Sequence, residues 1–331
     1  MKRKDKKILI AVDKEEVPRK DVCDILRCKA SVEEVFFKKG MPTETLYLEK
    51  KDFTEKEDIA AKILAINPYC VFNLFEGFSD DSEKEAAFVR LLEKIKVPFT
   101  GNSSFTLSLC LSKWKAKEIL KKKNIPVPRG LFVKNPQDLN AMDMRAPFFV
   151  KPCHEDASLG IDKDSLVYTK EELCRVVEKK IKEFPQGLVV EEFIGGKEYS
   201  VAFLGGLFCW PLGVSVMDYS QYQNFPPYLT YDSKWEVDCD EFKLLTPSVV
   251  EVENQVTKNI IAIAQRGAAA LRCRSYFRVD VRERQGALYV LDINPNPDIN
   301  RDSGFMKQAY HKGYTYEKAI EKIVRLANRR K

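Results

Sequence analysis

Two apolar stretches, SYFRVDVRE from residue 275 and LYVLDINPNP from residue 288, constrain the fold more than any other feature of the chain. Both are rich in β-branched and aromatic residues, and the connection at 283–287 contains Gly286, so the pair reads as a β-hairpin. A hairpin centred on Gly286 sets Asp280 opposite Asp292 and Arg278 opposite Asn294. Side chains alternate with period two along a strand, so these four groups share one face. Two facing carboxylates repel unless a cation lies between them. Two acids and an amide oxygen suit Mg²⁺, which takes one or two carboxylates and completes its octahedron with water and phosphate oxygens. Arg278 adds a fixed positive fork for developing negative charge. On spacing alone, a polar strip along a solvent-facing edge strand gives the same pattern.

The first third alternates short apolar runs with amphipathic stretches: KILIAV then DVCDILRCKA, YCVFNLF then SEKEAAFVRLLEKI, VPFTG then a long pattern through Lys123. That alternation predicts βαβ units around a mainly parallel sheet. No GxGxxG or GxxxxGK[ST] follows these strands, which excludes a dinucleotide fingerprint and a P-loop. Ligands of open α/β sheets gather at the carboxyl ends of strands, so Glu76 in NLFEGFSDDSE is either a substrate contact or an acid capping the helix that starts near Ser82. After NIPVPRG at 124–130, strand-dense segments follow: GLFVK, PFFVKP, SLVYT, GLVVEEFI, EYSVAFLGG and LFCWPLGVSVM. Their hairpin-length spacing predicts antiparallel sheet with a few helices. The stretch 218–240, rich in Tyr, Gln, Asn and Pro, reads as a long functional loop or lid. Helices are expected over 248–271 and 316–328.

Composition removes whole classes of function. Only His154 and His311 are present, which argues against histidine triads and multi-histidine metal sites, and the nine cysteines include no CxxC pair. Reduced thiols in a cytoplasmic protein are the expectation. The net charge of +6 is mild, and the basic runs at 2–7, 121–123 and 329–331 read as solvated surface, so no nucleic-acid partner is expected. The apolar run 8–12 is too short for a signal-peptide core or a membrane span.

RVD, a hairpin and LDINPNP together resemble the metal-binding hairpin of ATP-grasp ligases, in particular that of the D-alanine–D-alanine ligase family. Three further segments are similar to that family in its order and spacing: VPFTGNSSFTLSLCLSKWKAKEILKKKNIPVP, the phosphate loop FFVKPCHEDASLGI, and LVVEEFIGGKEYSVAFLGG. The resemblance implies an ATP-grasp fold, with an N-terminal open parallel α/β domain on the substrate side (1–101), a central subdomain (102–195) and a C-terminal subdomain with the metal hairpin (196–331). It implies ATP with Mg²⁺ as cofactors, two ions in all and Mn²⁺ as a substitute, and amino acid or peptide substrates in a homodimer. Lys113 and Lys151 then hold ATP phosphates beside the small-residue loop of Ser158 and Gly160. A lysine ending an apolar strand is costly unless it meets an anion, which fits Lys151, whereas Lys113 alone could be an exposed helix residue. Glu191, Glu192, Phe193 and Ile194 fall against adenine, Glu198 on the ribose, and Lys234 on the lysine of the family's mobile loop. Asp280, Asp292 and Asn294 become metal ligands, and Arg278, Lys234 and Ser158 the catalytic set. The implied reaction activates a carboxylate as an acyl phosphate for attack by an amine, releasing ADP and phosphate.

The amino-acid half departs from the family. Its HG..GEDG segment is replaced by NLFEGFSDDSEKE, one loop serine by Ala157, and E.EVS.SG is only loosely matched by DKEEVPRKD. NPNPDINRDSG places Asp298 and Asp302 near the acceptor's carboxylate, with Ser303 at the family's carboxylate-binding serine. Those acids point to a ligase for an amino acid or short peptide other than D-alanine. An authentic D-alanine–D-alanine ligase and a non-catalytic nucleotide-binding module are the alternatives.

Overall fold

The computed structural model describes residues 7–14, 20–54, 56–206, 209–222, 224–236, 238–250 and 254–328. The basic runs at 2–6 and 329–331 and most of the loop DKEEVPRKD lie outside those residues. The chain starts with β1 (Ile8–Asp13), α1 (Lys20–Lys38), β2 (Thr43–Leu48), α2 (Lys56–Ile66) and β3 (Cys70–Asn73), and β1 pairs in parallel with both other strands. The order β2-β1-β3 buries β1 on both faces, which is why ILIAV is a continuous apolar run. TETLYL was not anticipated as a strand because β2 is an edge and mostly half-buried. VPFTG, expected as a strand, contributes only one bridge, Phe99 to Val71.

Three helices follow: α3 (Glu83–Lys94), α4 (Ser104–Leu111) and α5 (Lys113–Lys122). The break between α4 and α5 falls at Ser112, which is extended and whose hydroxyl caps α5 by accepting from the Lys115 amide. The second sheet contains β4 (Gly130–Val133), β5 (Phe148–Pro152), β6 (Leu166–Val167) and β7 (Leu188–Glu192). It is antiparallel in the order β4-β7-β5-β6, with α6 (Lys170–Glu183) packed on it.

The third sheet is antiparallel and five-stranded: β8 (Glu198–Gly205), β9 (Cys209–Met217), β10 (Ser248–Val250), β11 (Ser275–Arg284) and β12 (Ala287–Asn294), in the order β10-β9-β8-β11-β12. The expected lid contains a 3₁₀ turn at Tyr219–Gln221, α7 (Tyr231–Trp235) and the start of α8 (Asp240–Leu244). The helix expected over 248–271 starts later, as α9 (Gln255–Ala270): 248–250 pairs with β9, and Asn254 caps the helix by accepting from the Thr257 amide. Two helices, α10 (Gly304–His311) and α11 (Tyr316–Ala327), complete the chain, and Ile320 and Ile323 of α11 share a core with Ile8 and Ile10 of β1. This return brings the segment after β12 close to the carboxyl ends of β1 and β3. No described helix is long and apolar enough to cross a membrane.

Candidate active site

The β11–β12 hairpin pairs Asp280 with Asp292 and Arg278 with Asn294. It does so by a route the sequence does not announce. The turn is only two residues, Gln285 and Gly286, both at positive φ (52° and 81°), as twist-matched two-residue turns require. From that turn, Val281 faces Val290, and straight continuation would set Asp280 opposite Leu291. A bulge between Asp280 and Val281 absorbs one residue and brings Asp292 across. Arg278 grips Asp280 with two bonds of 2.9 Å, Ser200 on β8 donates at 2.6 Å, and the Asn294 Nδ2 donates at 3.0 Å, leaving the Asn294 Oδ1 as its acceptor.

Asp292 faces lysines instead. Lys151, at the end of β5, lies 3.5 Å from Asp292 and 3.2 Å from Glu191. Burial works against the Asp292 carboxylate, but Lys151, Lys113 and Lys117 outweigh it and hold its pKa below the ordinary value. Lys113 at the start of α5 bonds the Glu155 carbonyl and lies 3.2 Å from Asp156; burial opposes its charge, yet Asp292 and Asp156 raise its pKa. Lys117, which the sequence reading passed over, is buried against Glu191 and donates to the Pro128 carbonyl at 3.1 Å. It sits one turn beyond Lys113, a spacing that was available as a signal. Lys234 on α7 borders the same cavity; burial and then Arg278 lower its pKa, while Asp280 and Glu198 oppose the shift.

The loop after β5 is held in a tight conformation. Ala157 and Ser158 both have positive φ (53° and 64°), each costing about 1–3 kcal/mol, and turns of this kind bring successive N–H groups onto an anion. Gly160 also has positive φ, and a Cβ there would meet the Phe184 ring at 2.6 Å. The fully buried Lys180 on α6 fixes the loop by donating to the Gly160 carbonyl (2.7 Å) and Asp162 (2.8 Å). From the other side, the Trp235 indole donates to the Ala157 carbonyl at 3.1 Å and the Tyr231 amide to the Ile161 carbonyl at 3.0 Å.

A cavity of about 950 Å³ joins the hairpin, the loop, Lys113, Lys151 and Lys234 to the carboxyl ends of β1 and β3. Glu76, Asp298, Asp302 and Ser303 all border it, with Asp24 and Arg27 of α1. Asp24 and Asp302 share Arg27 at 2.7 and 3.0 Å, Asp298 accepts from the Asn300 backbone and side-chain N–H groups, and Ser303 caps α10. Burial, with Asp24 and Asp302 adding repulsion, pushes Asp298 up to about 6. Glu85, absent from the sequence reading, also borders the cavity; burial, with Asp156 adding to it, raises it to about 8 against the hydrogen bond from Asn296. No local pattern marked Glu85, because its partner lies 211 residues away.

The segment matched to adenine and ribose does not border this cavity. Glu191 is buried between Lys117 and Lys151, so its carboxylate holds lysines. Glu192 bonds Arg284, and Glu198 accepts from the Tyr219 hydroxyl at 3.1 Å. Arg282 lies between the rings of Phe193 (4.9 Å) and Tyr219 (5.0 Å), donates to the Ile194 carbonyl at 3.0 Å and approaches Glu198 at 3.4 Å. Period-two alternation from Asp280 places Arg282 on the site face, a signal present in the sequence but not followed. Among the described residues no three His, Cys, Asp or Glu side chains form a metal cluster, so a cation at the hairpin relies on Asn294 beside the two acids.

The model for the C-terminal part of D-Ala–D-Ala ligases matches residues 114–325, well over half of the chain. The chain belongs to the D-alanine–D-alanine ligase family. It is accordingly an ATP-grasp ligase of the carboxylate–amine class. Among its curated relatives, the uncharacterised protein y4sG of Sinorhizobium fredii is 29% identical over 78% of this chain and 75% of its own length. A D-alanine–D-alanine ligase of Carboxydothermus hydrogenoformans is 29% identical over 73% and 77%. The fold is that of the Bacillus anthracis D-alanine–D-alanine ligase solved in complex with ATP, with a TM-score of 0.75, 20% identity and coverage of 98% of both chains.

Proposed function

We propose that the protein uses ATP and Mg²⁺ to join the carboxylate of one amino acid or short peptide to the amine of another through an acyl phosphate, with substrates other than D-alanine. The observation that carries this reading is the convergence of Lys113, Lys151, Lys234 and Arg278 with Asp280 and Asp292 on one cavity. Two carboxylates and an amide oxygen form an all-oxygen donor set, so Asp280, Asp292 and Asn294 fit Mg²⁺. Bound there, Mg²⁺ would neutralise phosphate charge during transfer. Lys113 and Lys151 bind the polyphosphate, supported by the N–H groups of the loop around Ser158. Lys117 and Glu191 position Lys151, and Lys234 reaches the terminal phosphoryl group from α7. Arg278, held rigid by Asp280, stabilises the oxyanion formed when the amine attacks. No side-chain nucleophile is needed. Phe193, Ile194 and Glu198 take the base and ribose once Arg282 gives way, a reading that rests on the resemblance of LVVEEFIGGKEYSVAFLGG to the family's adenine-binding segment.

Incubation with ATP, Mg²⁺ and a pool of amino acids and dipeptides tests the reading, with products identified by mass. ADP and phosphate should appear together with a new amide; AMP and pyrophosphate would rule out the acyl phosphate. Efficient D-alanyl-D-alanine formation at submillimolar D-alanine would return the protein to the activity named for its curated relatives. Nucleotide binding without substrate-stimulated turnover across the pool would identify a binding module.

A further inference from the structure

We infer, resting on the Mg²⁺ reading of the hairpin, that Asn102 is a positioning residue for the metal site: it clamps the open end of the β11–β12 hairpin and so fixes the spacing of Arg278, Asp280, Asp292 and Asn294. The Arg278–Asn294 pair is the last rung between these strands. Pro295 and Pro297 follow, and neither has an N–H with which to extend the ladder. The side chain of Asn102, fully buried and outside the lining of the cavity, takes over. Its Nδ2 donates to the Tyr276 carbonyl on β11 at 3.1 Å and to the Pro295 carbonyl just beyond β12, while its Oδ1 accepts from the Arg274 amide at 2.7 Å. That last bond fixes which end of the amide carries the oxygen. One side chain therefore holds both strands immediately beyond their last paired residues.

The clamp is itself anchored from two sides. The Asn102 backbone N–H donates to the Asn296 Oδ1 at 2.9 Å, and the Asn296 Nδ2 goes on to Glu85 of α3 at 2.7 Å. Gly101 permits this approach, since a Cβ there would collide with the Asn296 side chain. Toward the first sheet, Thr100 donates its N–H to the Val71 carbonyl of β3 at 2.9 Å, and its hydroxyl accepts from the Asn73 N–H at 2.9 Å. Ser104, at the start of α4, donates to Glu93 through its N–H at 3.0 Å and its hydroxyl at 2.6 Å. Asn102 thus ties β3, whose carboxyl end borders the cavity, to the strands that carry the metal-binding face. Groups that stand behind metal ligands orient them in this way and tune the affinity of the site without touching the ion.

Mn²⁺ binding tests this. Free Mn²⁺ is counted by electron paramagnetic resonance in the one-to-one complex of the protein with a non-hydrolysable ATP analogue, corrected for binding to the analogue alone. Asn102→Asp keeps the side-chain volume and the acceptor for Arg274 but sets an oxygen against the two carbonyls. Asn102→Ser cannot span them, and it carries the same expectation should the acid fail to fold. Either variant should bind Mn²⁺ about tenfold or more weakly, as is typical when a residue behind a metal ligand is changed, while the analogue's own affinity in EDTA stays within about twofold of the parent's. Thr106→Val is the comparison for plain loosening. It removes the hydroxyl bond to the Arg272 carbonyl, 3.1 Å long and on the same approach to β11, and should leave Mn²⁺ binding as in the parent whatever it does to the melting temperature. Parent-like Mn²⁺ affinity in the Asn102 variants, an equal loss in Thr106→Val, or failure of both Asn102 variants to fold overturns the positioning role. A parent that binds no Mn²⁺ in the complex overturns the metal reading, and the clamp with it.

Discussion

Replacing Glu191 by Gln separates the geometry from the sequence-based assignment of this side chain to adenine. Glu191 bridges two buried ammonium groups: Lys117 is 3% exposed, Glu191 itself 3%, and Lys151 4%. Burial alone would raise the carboxyl's pKa, but Lys117 and Lys151 reverse the shift and lower it. Gln keeps the volume and offers one oxygen, while its NH₂ is set against the other ammonium. Removing one partner of a buried ion pair leaves an uncompensated charge and costs about 3–5 kcal/mol. Lys151 retains Asp292 at 3.5 Å, so the main loss falls on Lys117, whose pKa burial already lowers. The midpoint of thermal unfolding followed by circular dichroism should drop by roughly 6–20 °C, given about 2–4 °C per kcal/mol for large domains. Adding Lys117→Met to Glu191→Gln should recover part of the loss by removing the stranded ammonium. The pair's contribution is present above the unfolded carboxyl value of 4.5 and is lost as pH falls through the depressed folded value, so parent and variant should converge in acid. A variant melting within about 1 °C of the parent, with no rescue in the double substitution, would refute the bridging role.

Three further outcomes are expected. Asp292→Ala should lower Mg²⁺-dependent ATP turnover by roughly a hundredfold or more, since a ligand supporting transition-state charge is worth a few kcal/mol; unchanged kcat would remove the hairpin from the metal assignment. Glu85 is raised from 4.5 to about 8, so the folded state keeps a proton that the unfolded state has released, and stability should decline as pH rises across that window. At about 1.4 kcal/mol per pKa unit, Glu85→Gln should gain a few kcal/mol on the parent between pH 5 and pH 9 in urea titrations; parallel profiles would show that Glu85 titrates normally. Arg282→Ala vacates the slot between Phe193 and Tyr219 and frees the Ile194 carbonyl, so calorimetric affinity for a non-hydrolysable ATP analogue should rise about tenfold, or about 1.4 kcal/mol. Weaker binding would make Arg282 a nucleotide contact instead of an obstacle.

Sequence alone determined the parallel first sheet and the antiparallel remainder, because period-two alternation and strand spacing are local properties of the chain; it named the pairs Asp280–Asp292 and Arg278–Asn294 from a turn centred on Gly286, whereas the hairpin reaches them through a bulge. It also carried the family resemblance through four segments in order. Local pattern did not reveal the two-residue turn with its compensating bulge, since straight pairing from Gln285–Gly286 leads to Leu291 and only the hydrogen-bond ladder absorbs the extra residue. The edge strand β2 was missed because half-buried TETLYL lacks the apolar continuity that burial on both faces imposes on β1. Partner choice was beyond reach as well. Lys117 meets Glu191 across 74 residues and Asn296 meets Glu85 across 211, pairings set by how α3 and α5 pack against distant strands. The titratable identity of each site residue was therefore written in the sequence, but its charge state, which opposite charge or ring it faces, and whether the slot beside it is open or filled came from tertiary packing, because Coulomb energy and desolvation depend on distances that chain order does not fix.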